Sequence, residues 1–229
     1  MPMANKEQRK FIVLDGVEGC GKSTQCKLLA EALRKADYEV VETFEPGGTE
    51  IGKVIRSLLL DPAYQKMTIR TEALLLSAAR SQHCFEVIAP ALEAGKVVVC
   101  DRYDPAFRAY QGGLAGKIPQ KSIDYLVKFA TCLDPLKKPL MPDLVIILDL
   151  DPKIGFEHKG DEALDRIELK GPEYHQWVRD GFLEYADQHP EFCVVVAADG
   201  TIAEVHQAII AVVNKKFEEL EWNIRPVLC

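Results

Sequence analysis

Residues 11–24 read Phe-Ile-Val-Leu-Asp-Gly-Val-Glu-Gly-Cys-Gly-Lys-Ser-Thr. The apolar run Phe11 to Leu14 predicts a strand. Gly16-Val17-Glu18-Gly19-Cys20-Gly21-Lys22-Ser23 then fits G-x-x-x-x-G-K-[ST]. From Ser23 to Ala36 the spacing of Leu28, Leu29, Ala32, Leu33 and Ala36 predicts a helix opening where the motif ends. Strand, glycine-rich loop and helix in that order form a phosphate loop. The glycines let the chain curl so that successive N–H groups, aided by the positive end of the helix, hold nucleotide phosphates. Lys22 brings a cation to the terminal phosphates, Ser23 offers a hydroxyl to magnesium, and residues Gly16 to Thr24 together form the expected ATP-binding stretch. The expected ligand is a purine nucleoside triphosphate, ATP first, with Mg2+.

Outward from this loop, short apolar runs alternate with helical stretches. Tyr38–Val41, Val97–Cys100, Leu144–Leu148 and Phe192–Val196 predict four more strands. Helices are predicted from Thr49, as a cap, to about Leu60, over Thr71–Ala94, Ile118–Leu133, Glu173–Gln188 and Thr201–Leu220. Val- and Ile-rich runs without polar alternation suit strands covered on both faces, joined by right-handed helical crossovers. The fold class is therefore α/β, with a five-stranded parallel sheet, helices on both faces and one domain over 1–229. Residues 152–171 are polar and weakly patterned, which suits either a lid or a surface connection.

Composition removes whole classes of function. With 48% apolar and 28% charged residues the chain can bury a core, so disorder is excluded. No apolar run approaches the roughly 20 residues that span a bilayer. The polar start, Met1 to Lys10, lacks the apolar stretch of a signal peptide. A net charge of −7 argues against a surface built for duplex nucleic acid. The seven cysteines, at 20, 26, 84, 100, 132, 193 and 229, form no C-x-x-C pair, which predicts reduced thiols in a cytoplasmic protein. A GTPase would be expected to carry N-K-x-D, and none occurs.

Further motifs narrow the choice among ATP users. Glu45-Pro46-Gly47-Gly48-Thr49 precedes Ile51-Gly52 and Arg56. Leu74-Leu75-Leu76-Ser77-Ala78-Ala79-Arg80 leads to Gln82-His83, and Asp101-Arg102-Tyr103 to Ala109-Tyr110-Gln111-Gly112. Asp165-Arg166-Ile167-Glu168 and Tyr174-His175 close the series. In this ordered set the chain resembles the thymidylate kinase (dTMP kinase) family across nearly its whole length. The resemblance implies a P-loop nucleoside monophosphate kinase-like fold with a short lid, direct Mg2+-assisted transfer from ATP to dTMP in dTTP synthesis, and a homodimer. It implies that Asp101 holds magnesium with Ser23, that Arg102 bridges acceptor and transferring phosphates, and that Glu18 accepts from the sugar 3′-hydroxyl. It further implies Arg80 at the thymine edge, Tyr110 on the deoxyribose, Gln111 near the base, and Arg56 with Glu45, Pro46 and Gly47 around the acceptor phosphate. Each also has a bland reading: Asp101–Arg102 as a surface ion pair, Glu18 as a solvated loop carboxylate, Arg80 and Arg56 as helix-surface charges, Tyr110 as core. For His83 a hydrogen-bonded structural role is the first reading.

The chain departs from the family at several points. The arginine that precedes E-P-G-G-T is Phe44, and the aromatic that stacks on thymine is Leu76, unless Phe85 or Phe107 supplies the ring. The polar pair after D-R-Y is Ala106 and Phe107. In the lid only Lys159 and His158 precede Arg166, so Arg166 is the first choice for the cation over ATP and Lys159 the second. These changes keep open a kinase for another nucleoside monophosphate or nucleoside; the other alternative, from a different class, is a regulatory nucleotide-binding protein. The second would be expected to lose Lys22 or the Asp101–Arg102 pair, and both are present.

Overall fold

The computed structural model describes residues 9–133, 138–160 and 163–219. Five strands form one parallel sheet in the order β2-β3-β1-β4-β5: β1 (Lys10–Gly16), β2 (Val40–Phe44), β3 (Val97–Asp101), β4 (Leu144–Asp149) and β5 (Cys193–Ala197). The inner strands β1, β3 and β4 are buried almost throughout, whereas the edges β2 and β5 are partly exposed. That is why the inner sequences read as unbroken apolar runs. Helices α1 (Lys22–Lys35) and α10 (Ile202–Glu219) pack together on one face. The other face carries α4 (Ala89–Glu93), α5 (Asp104–Gln111) and α9 (Pro172–Gln188).

Two further helices line a cleft at the sheet's carboxyl edge, and a third packs behind them. Helix α2 (Glu50–Leu60) is capped by Thr49, whose hydroxyl accepts from Gly52 N at 3.0 Å. It packs on α3 (Ile69–His83), which packs on α7 (Gln120–Thr131). The short α6 (Gly113–Gly116) follows α5, and α8 (Pro152–Lys159) follows β4. The connection leaving β1 runs over the face of α1, whereas the one leaving its neighbour β3 runs over the opposite face, so the carboxyl ends of these two strands form the topological switch point, where open α/β sheets bind ligands.

The predicted elements are present, with instructive differences. The predicted helix over Thr71–Ala94 is broken into α3, a π-helical stretch at Cys84–Ile88 and α4. Pro90 has no N–H for the carbonyl of Glu86, and its ring crowds that turn, so the spiral widens there. Strand β2 starts two residues later than predicted and runs to Phe44, because it pairs with β3 from Val40↔Val97 to Phe44↔Asp101. Helices α5, α6 and α8 were not predicted. Residues 152–159, which the sequence left as lid or connection, form α8, capped by Asp151 Oδ1 accepting from Lys153 N at 2.8 Å. Among the described residues, Cys20, Cys26, Cys84, Cys100, Cys132 and Cys193 are not joined in disulfides. Cys229, Leu220 and the tail from Trp222 lie outside the described residues.

Ile146, in the middle of β4, is fully buried. Replacing it with alanine removes three buried carbons from a site that strands on both sides keep from collapsing, so Ile146→Ala should cost about 2–5 kcal/mol. Urea unfolding checks this, and a loss well under about 1 kcal/mol would mean that the sheet adjusts freely around the cavity.

Candidate active site

The phosphate loop leaves β1 at Gly16 and enters α1 at Lys22. Val17 and Cys20 turn their side chains into the core beneath it, which fixes the loop from below. Gly19 has φ 72°, and a Cβ there would lie 1.9 Å from the carbonyl oxygen of Gly155 in α8. A Cβ on Gly155 would in turn sit 2.1 Å from the carbonyl of Glu18. Glycine on both sides lets α8 touch the loop. Lys22 Nζ donates to Val17 O at 2.6 Å, and Ser23 Oγ donates to Asp101 Oδ2.

Two cavities flank this edge. The larger, about 690 Å³, is lined by Gly19, Gly21, Lys22, Ser23, Thr24, Asp101 and His158, among others. The smaller, about 230 Å³, is lined by Pro46, Leu76, Arg80, Tyr110, Gln111, Glu72 and Phe107, among others. Glu18, Glu45, Arg56, Arg102 and Lys159 belong to both walls. A chemical group bridging two ligands would lie between these residues.

Arg102 is the centre of the shared wall. It follows β3 with φ 72°, an unusual backbone for a side-chain-bearing residue that persists only when its surroundings determine it. Its Nη2 donates to Glu18 Oε1 at 2.6 Å, and its Nη1 lies 3.1 Å from Gly16 O and 3.3 Å from Asp15 Oδ1. Tyr110 packs its ring 5.2 Å from the guanidinium and donates its hydroxyl to Glu18 Oε1 at 3.3 Å. Burial works against Glu18's charge, but Arg102, Lys22 and Lys159 outweigh it and hold the pKa at about 2.

On the smaller cavity, Arg80 is buried and committed on two sides. Its Nε donates to Glu45 Oε2 and its Nη2 to Tyr103 O, each at 2.7 Å. Its guanidinium faces the rings of Tyr103 at 4.8 Å and Phe107 at 5.4 Å. His83 joins Glu45 Oε1 at 2.9 Å and Thr43 Oγ1 at 2.7 Å, a hydrogen-bonded position behind the wall. Arg56 donates to Pro46 O at 3.0 Å and has the Phe44 ring 5.9 Å from its guanidinium. Gly47 lies beside them, with space for a Cβ blocked by the Phe44 ring at 2.6 Å. Leu76 and Phe107 both line the cavity, whereas Phe85 is 67% exposed and lines neither.

Arg166 requires a correction. It does not line either cavity and is 3% exposed. Its Nη2 is paired with Glu72 Oε2 at 2.6 Å and its Nε donates to Leu59 O at 2.7 Å. A guanidinium committed to a buried carboxylate and a helix-end carbonyl cannot also lie over a nucleotide. Lys159, the second choice, lines both cavities and pairs with Glu168.

Two residues went unassigned from the sequence, Glu72 and Asp15. Asp15 is fully buried at the end of β1. Its Oδ1 accepts from Gly16 N at 2.9 Å, and its Oδ2 from Ala106 N at 2.9 Å and Tyr103 N at 3.3 Å. An acidic residue closing an otherwise apolar strand was the available signal.

For magnesium, the donor set offers the paired oxygens of Ser23 and Asp101 beside Lys22. No group of three or more His, Cys, Asp and Glu side chains arranged for a metal occurs among the described residues. Few protein ligands, all oxygen, fit a cation that keeps water and substrate phosphates as its other ligands.

Burial pushes the Asp15 carboxyl from 3.8 up to about 6, although Arg102 and Lys22 pull it down. The folded protein then holds this proton more tightly than the unfolded chain, so the associated stability is present below 3.8 and is lost as pH rises through about 6. The size is about 3 kcal/mol. Asp15→Asn should remove that decline, so its stability relative to the native protein should rise from pH 4 to pH 7. Chemical unfolding across that range checks it; a pH-independent difference would remove Asp15 as the titrating group.

The model of the family described as Thymidylate kinase matches residues 14–209. A thymidylate kinase of Symbiobacterium thermophilum is 42% identical over 205 residues, 90% of this chain and 92% of that protein. One from Pseudomonas fluorescens is 43% identical over 209 residues, covering 91% and 96%. The crystal structure of thymidylate kinase from Ehrlichia chaffeensis superposes with a TM-score of 0.72 at 31% identity, covering 90% of this chain and 98% of that one. Phosphate loop, shared arginine wall and whole-chain similarity agree, and the chain belongs to the thymidylate kinase family.

Proposed function

We propose that the protein transfers the γ-phosphoryl group of ATP to dTMP, giving dTDP and ADP. The observation that carries this reading is the wall shared by the two cavities, with Arg102, Lys159, Arg56, Glu18 and Glu45 between a phosphate-loop site and a smaller, partly apolar one. ATP occupies the larger cavity, its phosphates on the loop N–H groups and Lys22. The acceptor occupies the smaller one. An oxygen of the acceptor phosphate attacks the γ-phosphorus, the new P–O bond forms, and the bond to ADP breaks. No general base is needed, because that oxygen already carries charge, so positioning and charge neutralisation dominate. When bound at Ser23 and Asp101, Mg2+ supplies further neutralisation of the phosphate oxygens.

Arg102 suits the transferring group because its fork meets two oxygens at once. In the acceptor cavity Arg80 has Nη1 left for a base oxygen, since Nε and Nη2 are committed. Tyr110 lies where a sugar would pass between Arg102 and the base pocket. Phe107 supplies an aromatic face in a cavity where Leu76 does not. Phe44 supports Arg56 by packing rather than by charge. The lid spans about 152–171, with Lys159 as its cation. No described helix is long and apolar enough to cross a membrane, and a cytoplasmic protein forming one domain belongs to this reading. A homodimer is supported by exposed Leu74 and Phe85 at and just beyond α3 and by the stacked, exposed Tyr125 and Phe129 of α7.

ADP release measured with dTMP, dUMP, UMP, dCMP, dGMP and thymidine should be fastest with dTMP and negligible without an acceptor. A different preferred acceptor, or acceptor-independent turnover, would reject the assignment. Lys22→Ala and Arg102→Ala should each lower turnover by roughly 10³–10⁵, while Arg80→Ala should chiefly raise KM for dTMP. Near-native turnover in either of the first two variants would remove that residue from the transfer step.

A further inference from the structure

Glu72 stands in the first turn of α3, is 1% exposed and lines the smaller cavity. Its Oε2 accepts from Arg166 Nη2 at 2.6 Å and its Oε1 from Gln111 Nε2 at 2.8 Å. Lys170 Nζ lies 3.3 Å from Oε2 and 3.2 Å from the Tyr174 hydroxyl. Arg166 and Lys170 belong to the segment after α8, while Gln111 ends α5. The end of α2 joins the same assembly, because Arg166 N and Nε donate to Leu60 O and Leu59 O at 2.9 and 2.7 Å.

From Arg166 the contacts continue to the shared wall. Asp165 Oδ1 accepts from Ile167 N at 2.8 Å and Glu168 N at 3.0 Å, and Glu168 Oε2 accepts from Asp165 N at 2.9 Å. This closed turn leaves Glu168 Oε1 for Lys159, which lines both cavities. One buried carboxylate therefore holds an amide of the acceptor cavity directly and a cation of the nucleotide cavity through one turn.

We propose that Glu72 is a positioning residue that couples the two substrate sites, an inference that rests on the two-cavity reading above. Asp165, Glu168 and Lys159 line the acceptor cavity with the turn docked on Glu72, and a released turn would withdraw them from it. An acceptor filling that cavity touches the docked turn and cannot touch a released one, so it favours docking. ATP phosphates meet Lys159 in the docked arrangement and favour it too. Two ligands that prefer the same arrangement raise each other's affinity by the same factor. Release costs the buried Glu72 two cationic partners and returns conformational freedom to the turn, and a coupling factor of about 5 corresponds to a docked arrangement of about one fifth of the protein without ligands.

The test is calorimetric affinity for dTMP with and without a non-hydrolysable ATP analogue and Mg2+, in the native protein, Glu72→Gln and Lys159→Gln. The native protein should show a coupling factor of about 5–150. Both variants should bring it near one, whatever happens to the separate affinities, and the double variant should lose nothing further. A purely structural Glu72 would lower the melting temperature yet leave the factor unchanged, and that result overturns the proposal. So does a native factor near one. If Glu72→Gln does not fold, the partly exposed Lys159 variant decides alone, because unaltered coupling there breaks the route. Should the native protein bind another nucleoside monophosphate and not dTMP, the acceptor assignment fails, while coupling measured with that acceptor still decides the role of Glu72.

Discussion

The carboxylate of Asp15 is the contact around which the catalytic edge is organised. It sits at the end of a strand buried between two others, and it accepts from the first N–H of the phosphate loop and from two N–H groups of the turn and helix after β3. It also faces the Arg102 guanidinium at 3.3 Å. Neighbouring parallel strands bring the two loops close, but parallel pairing alone does not set how their side chains meet. A fully buried acceptor that both loops must satisfy does, because an unpaired N–H or charge in that place would cost several kcal/mol. The left-handed backbone of Arg102 is held within this frame, and its fork is directed along the wall between the cavities.

A second layer of buried charge lines the smaller cavity. Glu45 joins Arg80 and His83, and Glu72 joins Arg166, Gln111 and Lys170. In both cases a carboxylate under one-tenth exposed is surrounded by donors from different elements. Such clusters contribute less to net stability than apolar packing of equal volume would, since desolvation offsets much of the attraction. What they contribute is direction. Arg80, with Nε and Nη2 each bonded, turns Nη1 outward, and Arg166, committed to Glu72, lies off both cavities, whereas Lys159 lines both. Phe44 and Phe107 fit this pattern, because each lays a ring against an arginine that is itself oriented by hydrogen bonds.

Much of the fold and the chemistry was legible in the chain as written. The unbroken apolar runs of β1, β3 and β4 required strands covered on both faces, and helices between them required parallel crossovers. The spacing of Gly16, Gly21, Lys22 and Ser23 determined the phosphate loop, because only that arrangement turns several N–H groups and one cation toward a single anion. Those are local properties, set within one turn or one strand. What the tertiary structure alone decided involves partners far apart in sequence. Arg166 meets Glu72 across 94 residues and Arg102 meets Asp15 across 87. Residue type at 166 allowed either a nucleotide contact or a buried ion pair, and only the packing of the 165–168 turn against α2 and α3 chose the second. In the same way, α8 shows weak apolar periodicity because it rests on glycine backbone at Gly19 and Gly155 rather than on a stripe of apolar side chains, so no pattern in residues 152–159 could announce it.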